Sequence, residues 1–481
     1  VDELVRGPRF ADHWASIWEG VLLGPGDGKD KFVDRAAFHD WVRRAIQSNV
    51  PYDRFVRELV TATGRNTGGG QGANGAVNWL LRFREAPEDL AGTTSRAFLG
   101  VQIQCAECHD HKTEAWKQAD FRRFTACFLR TRAEPVGPKE DTPREVEVSD
   151  VDHPAYMSLG KKRVLATPYA RARPGAIDGT DLARDDAPRE ALARWITSPQ
   201  NPWFSRAFVN RVAARLFGRG FVEPVDDVRP SNPGVLPDVL ARIADDFAAG
   251  GYDVRRLVTL LADTEVYGLA AAPAEKGDGR LFSRFPLKPL GPDELLDAIV
   301  AAAGLEPVLA RAGGDGVEAL REDLRRQVTY VFDVDEPPEP GAYAATVAQA
   351  LYAMNGRLVN GAASAVPGGA LERVLDDAPS IDAAVEALYL RALSRRPSRE
   401  ERVFWRRFVR ARRDVAKDAG SVAPAVPPGP KAGNGAKAAA VAERKLVRLE
   451  RLAPRRPTAR QQAFEDLFWS LLASSEFAFN H

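Results

Sequence analysis

The sequence predicts a mostly α protein, with two helical domains joined by a small β-containing connector. Three observations carry this expectation. Apolar residues recur at helical spacing over most of the chain, with Pro and Gly punctuating the runs. One intervening stretch is instead dominated by Pro, Asp, Lys and Arg and holds only short β-like pieces. A length of 481 residues exceeds one ordinary core and suggests two or three domains.

Residues 1–134 read as the first helical domain. Trp14, Ile17, Trp18 and Val21 share one helix face, and Phe38, Trp41, Val42 and Ile46 another. Pro51 is placed for a first turn, followed by Phe55, Leu59 and Val60 at core spacing. Gly64 to Gly75 form a loop. Its G-x-G-x-x-G match, Gly70 to Gly75, lacks the preceding strand a dinucleotide site needs and is read as a mobile glycine loop. A helix starts near Pro87 and runs through Phe98 and Leu99. Beyond it, Trp116, Phe121, Phe124 and Phe128 line one face of another.

Residues 135–187 read as the connector, with strands expected at Glu145–Val148 and Arg163–Ala166. Residues 188–413 read as a second helical domain. Residues 414–440 are rich in Ala, Gly, Pro and Lys and are expected to be a flexible linker. Residues 441–481 are expected to form C-terminal helices, bearing Phe464, Leu467, Phe468, Leu471 and Leu472, that pack on the second domain.

The hydrophobic fraction of 44% and charged fraction of 28% suit a folded protein. A net charge of +1 gives no general field for nucleic acid or anionic lipid, so neither is an expected partner. No apolar run reaches about 18 residues, so no membrane span is expected. No signal peptide is read at Val1. The chain is expected to be processed or trimmed there, because its first residues already look helical.

Three cysteines argue against a disulfide framework. Cys127, between Ala126 and Phe128, reads as a small buried hydrophobe. The other two lie in Cys105-Ala106-Glu107-Cys108-His109, which is C-x-x-C-H, the attachment motif for a c-type haem. Two thiols one helical turn apart can add to the two vinyl groups at one porphyrin edge. His109 can then hold the iron from below. Trp116, Phe121 and Phe124 would supply the apolar wall of the pocket. The residues leave rivals open. Cys105, Cys108, His111 and one further ligand could hold zinc. The pair could also be a redox dithiol, or inert.

If haem binds, the ligand on its far side decides between electron transfer and small-molecule chemistry. Met157, in the connector, is the candidate, although a plain packing role suits it better. Met354 reads as a core residue, and His13 and His39 as hydrogen-bonded structural histidines. His111 either faces solvent or bonds a haem propionate. Asp226 and Asp227, with Asn210, Arg211 and Arg219, read as caps and ion pairs, and a catalytic role for the two carboxylates stays open. The basic run Arg406, Arg407, Arg410, Arg412 and Arg413 reads as a solvated helix face. No P-loop, nucleophile elbow or H-E-x-x-H is present.

The run Phe98-Leu99-Gly100-Val101-Gln102-Ile103-Gln104 before the motif, Asp110-His111, Trp116 and Asp120-Phe121 after it, and Pro51 to Leu59 resemble a planctomycete cytochrome c-like domain family. The later part resembles the planctomycete surface-associated domain that usually follows it. The residues are Ala193 to Pro199, Val209-Asn210-Arg211, Leu216 to Gly220, Asp226-Asp227, Asn232-Pro233, Pro286-Leu287, Asp297-Ala298, Met354-Asn355-Gly356 and Leu393 to Pro397. Leu236-Pro237 stands where His-Pro is common, and Thr264-Glu265 where a Ser is common. The resemblance implies export to the periplasm or cell surface and haem c on the first domain. It also implies frequent company with a separate, upstream cytochrome c domain, and the expected partner is a redox partner or a cytochrome c domain protein. The function expected is an exported c-type haem-binding protein of electron transfer with a helical interaction domain. The alternative is a non-redox surface or scaffold protein whose C-x-x-C-H site holds zinc or nothing.

Overall fold

The computed structural model describes residues 1–24, 30–67, 70, 72–112, 114–139, 142–154, 156–157, 169, 171–182, 187–269, 279–286, 288–313, 328, 352, 354–418 and 457–480. Among them the protein is mostly α, with one three-stranded and one two-stranded sheet. It divides into two compact units, Val1–Pro286 and Leu287–His481.

The first unit opens with α1 (Asp2–Arg6), α2 (Pro8–Leu23), α3 (Arg35–Gln47) and α4 (Tyr52–Val60). Asp34 caps α3 by accepting the Ala37 N–H at 2.9 Å, which satisfies one of the helix's orphan donors. The apolar faces read from the sequence are the ones buried: Trp14, Ile17 and Trp18, then Phe38 and Val42, then Phe55, Leu59 and Val60.

The helices α2 and α3 are also joined by charge. His39 places Nδ1 3.2 Å from Glu19 Oε2 and Nε2 3.2 Å from Asp12 Oδ1, while Arg35 Nε donates to Glu19 Oε1 at 2.7 Å. Burial acts to lower the imidazole's pKa. The hydrogen bonds and charges of Asp12 and Glu19 outweigh it and raise the pKa to about 9. A raised pKa gives stability that is fully present below about pH 6.5 and is lost as pH climbs through about 9. Urea unfolding is therefore expected to show a loss on the order of 2 kcal/mol between pH 6 and pH 9.5, and His39→Gln should flatten that slope.

After β1 (Gly64–Arg65) come α5 (Val77–Arg82) and α6 (Pro87–Thr94), a π-helical turn at Ser95–Leu99, a 3-10 turn at Gln104–Glu107 and α7 (Gln118–Ala126). The strands β2 (Thr131–Pro135) and β3 (Val146–Asp150) follow, giving an antiparallel sheet of order β1-β3-β2. Val146 and Val148 point into the core while Glu147 and Ser149 face out, the period-two alternation of a half-buried strand. The strand expected at Glu145–Val148 is thus present, shifted by one or two residues. The one expected at Arg163–Ala166 lies outside the described residues.

The glycine loop is shaped by asparagines. Buried Asn66 accepts the Val146 N–H at 2.7 Å and donates to Phe32 O and Arg144 O, and Asn78 donates to Asn66 O at 2.8 Å. A Cβ on Gly75 would lie 2.1 Å from Ala37 O, so that glycine marks a close approach of chain to chain.

The same unit continues through α8 (Pro188–Ile196), α9 (Phe204–Phe217), α10 (Pro237–Ala249) and α11 (Val254–Ala262). These were expected to open a second domain after residue 187, and the structure differs. Phe208 of α9 lies parallel to Trp18 of α2 at 6.2 Å and stacks on Tyr52 of α4 at 3.8 Å. Arg189 of α8, 2% exposed, donates through Nη1 to Val60 O and Ala62 O at 3.0 Å each and through Nε to Asp150 Oδ1 at 2.9 Å. Periodicity announces an apolar face but not its partner. Here the partner of the faces on α8 and α9 is the first core.

The second unit holds α12 (Pro292–Ala303), α13 (Glu306–Gly313), α14 (Arg357–Ala363), α15 (Ala370–Asp377), α16 (Ile381–Leu393), α17 (Arg399–Asp418) and α18 (Ala459–Leu472). β4 (Lys288–Pro289) pairs antiparallel with β5 (Phe479–Asn480). Thr458 and Gln461 form a capping box that starts α18, whose Phe464, Leu467 and Phe468 sit in the unit's core. The helix α17 runs on to Asp418, and the rest of the low-complexity stretch, 419–440, lies outside the described residues. Met354 is exposed rather than core. The basic run is not simply solvated, since Arg406 pairs with Asp382 of α16 and Arg412 Nη2 lies 2.8 Å from Asp466 of α18. Among the described residues no helix is long and apolar enough to cross a membrane.

Candidate functional site

The C-x-x-C-H run sits on the 3-10 turn that follows Gly100. This turn repeats every three residues, so side chains three apart eclipse. Cys105 and Cys108 are accordingly both exposed, while Ala106 between them is buried and anchors the turn to the core with Ile103. Both thiols are free. His109 is exposed as well.

Backbone and side-chain bonds hold the run in place. Gln118, the first residue of α7, donates from Nε2 to Glu107 O at 3.0 Å and to Cys108 O at 2.8 Å. Its own N–H is taken by Asp110 Oδ1 at 2.9 Å. His109 Nδ1 lies 2.7 Å from Asp110 O. A carbonyl oxygen can only accept, so Nδ1 is the donor, and in the neutral ring Nε2 then holds the lone pair. That is the tautomer a metal-binding histidine uses, with its other nitrogen fixed by a carbonyl.

His111 is engaged locally. Its Nδ1 accepts the Glu114 N–H at 3.1 Å, its backbone N–H donates to Trp116 O at 2.8 Å, and its ring meets Trp116 edge-on at 5.5 Å. Carboxylates gather beside the turn. Burial, then the charges of Glu88 and Asp89, raise the Glu107 pKa. Burial and the charges of Glu107 and Glu88 push the Tyr169 phenol up to about 12, against the pull of Arg122, with Cys108 contributing. Tyr169 was missed by sequence reasoning, since nothing in its neighbourhood carries a periodic or motif signal.

The expected wall is not open to the site. Trp116, Phe121 and Phe124 are 9%, 1% and 0% exposed. Phe124 is covered edge-on by Phe128 and by Trp195 of α8, each at 6.4 Å. Their spacing announced an apolar face correctly, and the protein's own core occupies it. The two thiols and the His109 imidazole lie at the surface, and the three rings do not form a free pocket wall.

Met157 is likewise buried in the core, and its carbonyl accepts the Glu85 N–H at 2.9 Å. Burial pushes the Cys127 thiol up to about 12, in keeping with a small core residue. Asp226 and Asp227 do not converge. Asp226 turns to Gln102 and Arg96, and Asp227 to Arg229. Asn210 is fully buried and bridges Val222 and Val225.

Gly100 ends the π-helical turn in the left-handed region, at φ 64° and ψ 27°. A Cβ there would lie 3.0 Å from Ala207 Cβ and 3.1 Å from Val228 Cγ2. Gly100→Ala is expected to cost about 1–3 kcal/mol in denaturant unfolding, through left-handed strain plus crowding.

Two family models match parts of the sequence. Residues 1–133 match the family model PSCyt2, a protein of unknown function (DUF1549). Residues 188–339 match PSD1, a protein of unknown function (DUF1553). These are the names of planctomycete-type domains, so the resemblance read from the sequence holds at the level of two domain families of unknown function. No curated protein matches, and no solved structure matches.

Proposed function

We propose that this chain carries one c-type haem on Cys105 and Cys108, with His109 as an iron ligand, and passes single electrons through it. The observation that carries the reading is the His109 Nδ1 bond to Asp110 O beside two free, exposed thiols on one side of a 3-10 turn. Each S–H adds across one vinyl group, sulfur to one carbon and hydrogen to the other, so nothing leaves. The bound group supplies a reversible one-electron iron couple. The chain's own part is to hold the porphyrin edge through the sulfurs, present Nε2, and keep the turn rigid through Gln118. A site at the surface suits transfer to a docked redox protein or cytochrome c domain. Covalent attachment takes place outside the cytoplasm, so the reading carries export with it. Met157 would have to leave the core to reach iron and is assigned no ligand role.

One observation favours this over zinc. A zinc site gathers three or four donors within about 2.0–2.3 Å of one point. Among the described residues no group of three or more His, Cys, Asp or Glu converges in that way. Thioether attachment asks no such convergence, because the sulfurs bond carbon rather than metal.

The test is expression with haem-maturation machinery and export, followed by elemental analysis, intact mass and absorbance. The expected result is one iron per chain, a mass increase of one haem that survives denaturation, and a Soret band. Zinc at one per chain, or iron-free protein without a Soret band, rejects the reading.

A further inference from the structure

The residues just before Cys105 have no regular structure of their own. Val101 to Ile103 lie between the π-helical turn and the 3-10 turn, so their path is set by what grips them. A loop far along the chain does so. Val228 N–H donates to Gly100 O at 2.7 Å. Asp226 Oδ1 accepts from Gln102 Nε2 at 3.0 Å, and its Oδ2 lies 3.7 Å from Arg96 Nε. Beyond the motif, Ser231 Oγ donates to Glu114. The loop thus holds the run on both sides of the cysteines.

The loop is itself well braced. Asn210 of α9 donates to Val222 O and Val225 O and accepts the Val222 N–H. Asn232 Nδ2 donates to Glu223 O and Asp227 O at 3.1 and 3.0 Å. A Cβ on Gly220 would lie 2.7 Å from Asn210 Oδ1, so the turn closes tightly on that amide. Buried Arg211 adds a bond from Nη2 to Arg96 O at 3.2 Å, fixing the residue that Asp226 also approaches.

We propose that Asp226, with residues 221–232, positions the Cys105–His109 run, so that the site is built by both family-matched segments and not by 1–133 alone. The consequence for a bound group rests on the haem reading, while the positioning itself does not. A carboxylate shared between an amide and a guanidinium fixes both partners. Its removal leaves the Gln102 amide without its acceptor and Arg96 without its counter-charge, and loosens the stretch that leads into Cys105, which then rests on the buried Val101 and Ile103.

The experiment uses the full chain and compares wild type, Asp226→Ala, Asp226→Asn and Gln102→Ala. Hydrogen exchange of peptides covering residues 100–112 should speed up about tenfold in Asp226→Ala and in Gln102→Ala, with α3 and α4 unchanged. Asp226→Asn keeps a carbonyl for the Gln102 amide and should recover most of the protection. Unchanged exchange in both the Asp226→Ala and Gln102→Ala proteins overturns the proposal. So does a rise spread over the whole unit that Asp226→Asn fails to correct. In haem-loaded proteins the midpoint potential should shift in Asp226→Ala and return towards wild type in Asp226→Asn. A loaded Asp226→Ala protein with the wild-type potential overturns the positioning of the group. A wild type that takes up no haem, yet shows the local exchange response, sinks the haem reading and leaves the positioning role standing.

Discussion

Arg189→Met is expected to destabilise the Val1–Pro286 unit by about 2–4 kcal/mol in urea unfolding. The guanidinium serves three acceptors: Val60 O and Ala62 O at and just past the end of α4, and Asp150 on β3. Those carbonyls sit at the negative end of a helix, where a cation is favoured. Losing their donor inside the protein costs about 1–3 kcal/mol each. Part of that is offset, because burying the guanidinium is itself costly, as its lowered pKa records with desolvation as the main cause. Asp150 is half exposed, so its share is small, and Asp150→Asn should cost under about 1 kcal/mol. Arg189→Lys should recover less than half the loss, since a point ammonium cannot reproduce the planar fork. Equal losses for Arg189→Met and Asp150→Asn would show that the ion pair, not the carbonyl clasp, carries the effect.

Replacing Cys105 and Cys108 together by Ser is expected to lower covalently bound haem at least about tenfold while leaving the fold intact. Both cysteines are exposed, so unfolding free energy should move by less than about 0.5 kcal/mol. The single variants should keep one thioether and attach haem poorly. His109→Ala should retain the covalent mass but shift the Soret band, since the sulfurs hold the porphyrin and the imidazole holds the iron. A His109→Ala protein with the wild-type spectrum would remove His109 from the iron. Trp116→Leu, by contrast, should leave any attached haem's absorbance alone, because that ring is turned into the protein against His111.

Much of the helical core was legible in the sequence. The spacing of Trp14, Ile17 and Trp18, of Phe38 and Val42, and of Phe55, Leu59 and Val60 identified faces that the structure buries. The strand near Val146 announced itself by alternation. The cysteines and His109 were legible as a motif, because local spacing is what that chemistry requires. Three things were not legible. The chain's return through Phe208 and Arg189 to the first core depends on contacts between residues 50 and 250, and no local pattern encodes a partner. The apolar face of Phe121 and Phe124 looked the same in sequence whether a porphyrin or Trp195 covered it. The grip of Asp226 on Gln102 spans 124 residues, and a paired Asp-Asp reads equally well as a cap, an ion pair or a catalytic couple.

By itself the sequence determined the helical character of the chain, the faces that seek burial and the chemistry available at residues 105–109. These follow from short-range rules, namely the period of a helix and the spacing of two thiols and an imidazole. Tertiary structure alone decided which face meets which, that α8 to α11 belong with α1 to α7, and that Asp226 bonds Gln102 while Gln118 bonds Glu107 and Cys108. Those are long-range choices, made when hydrogen-bond donors and apolar surface from distant segments are satisfied together in one core.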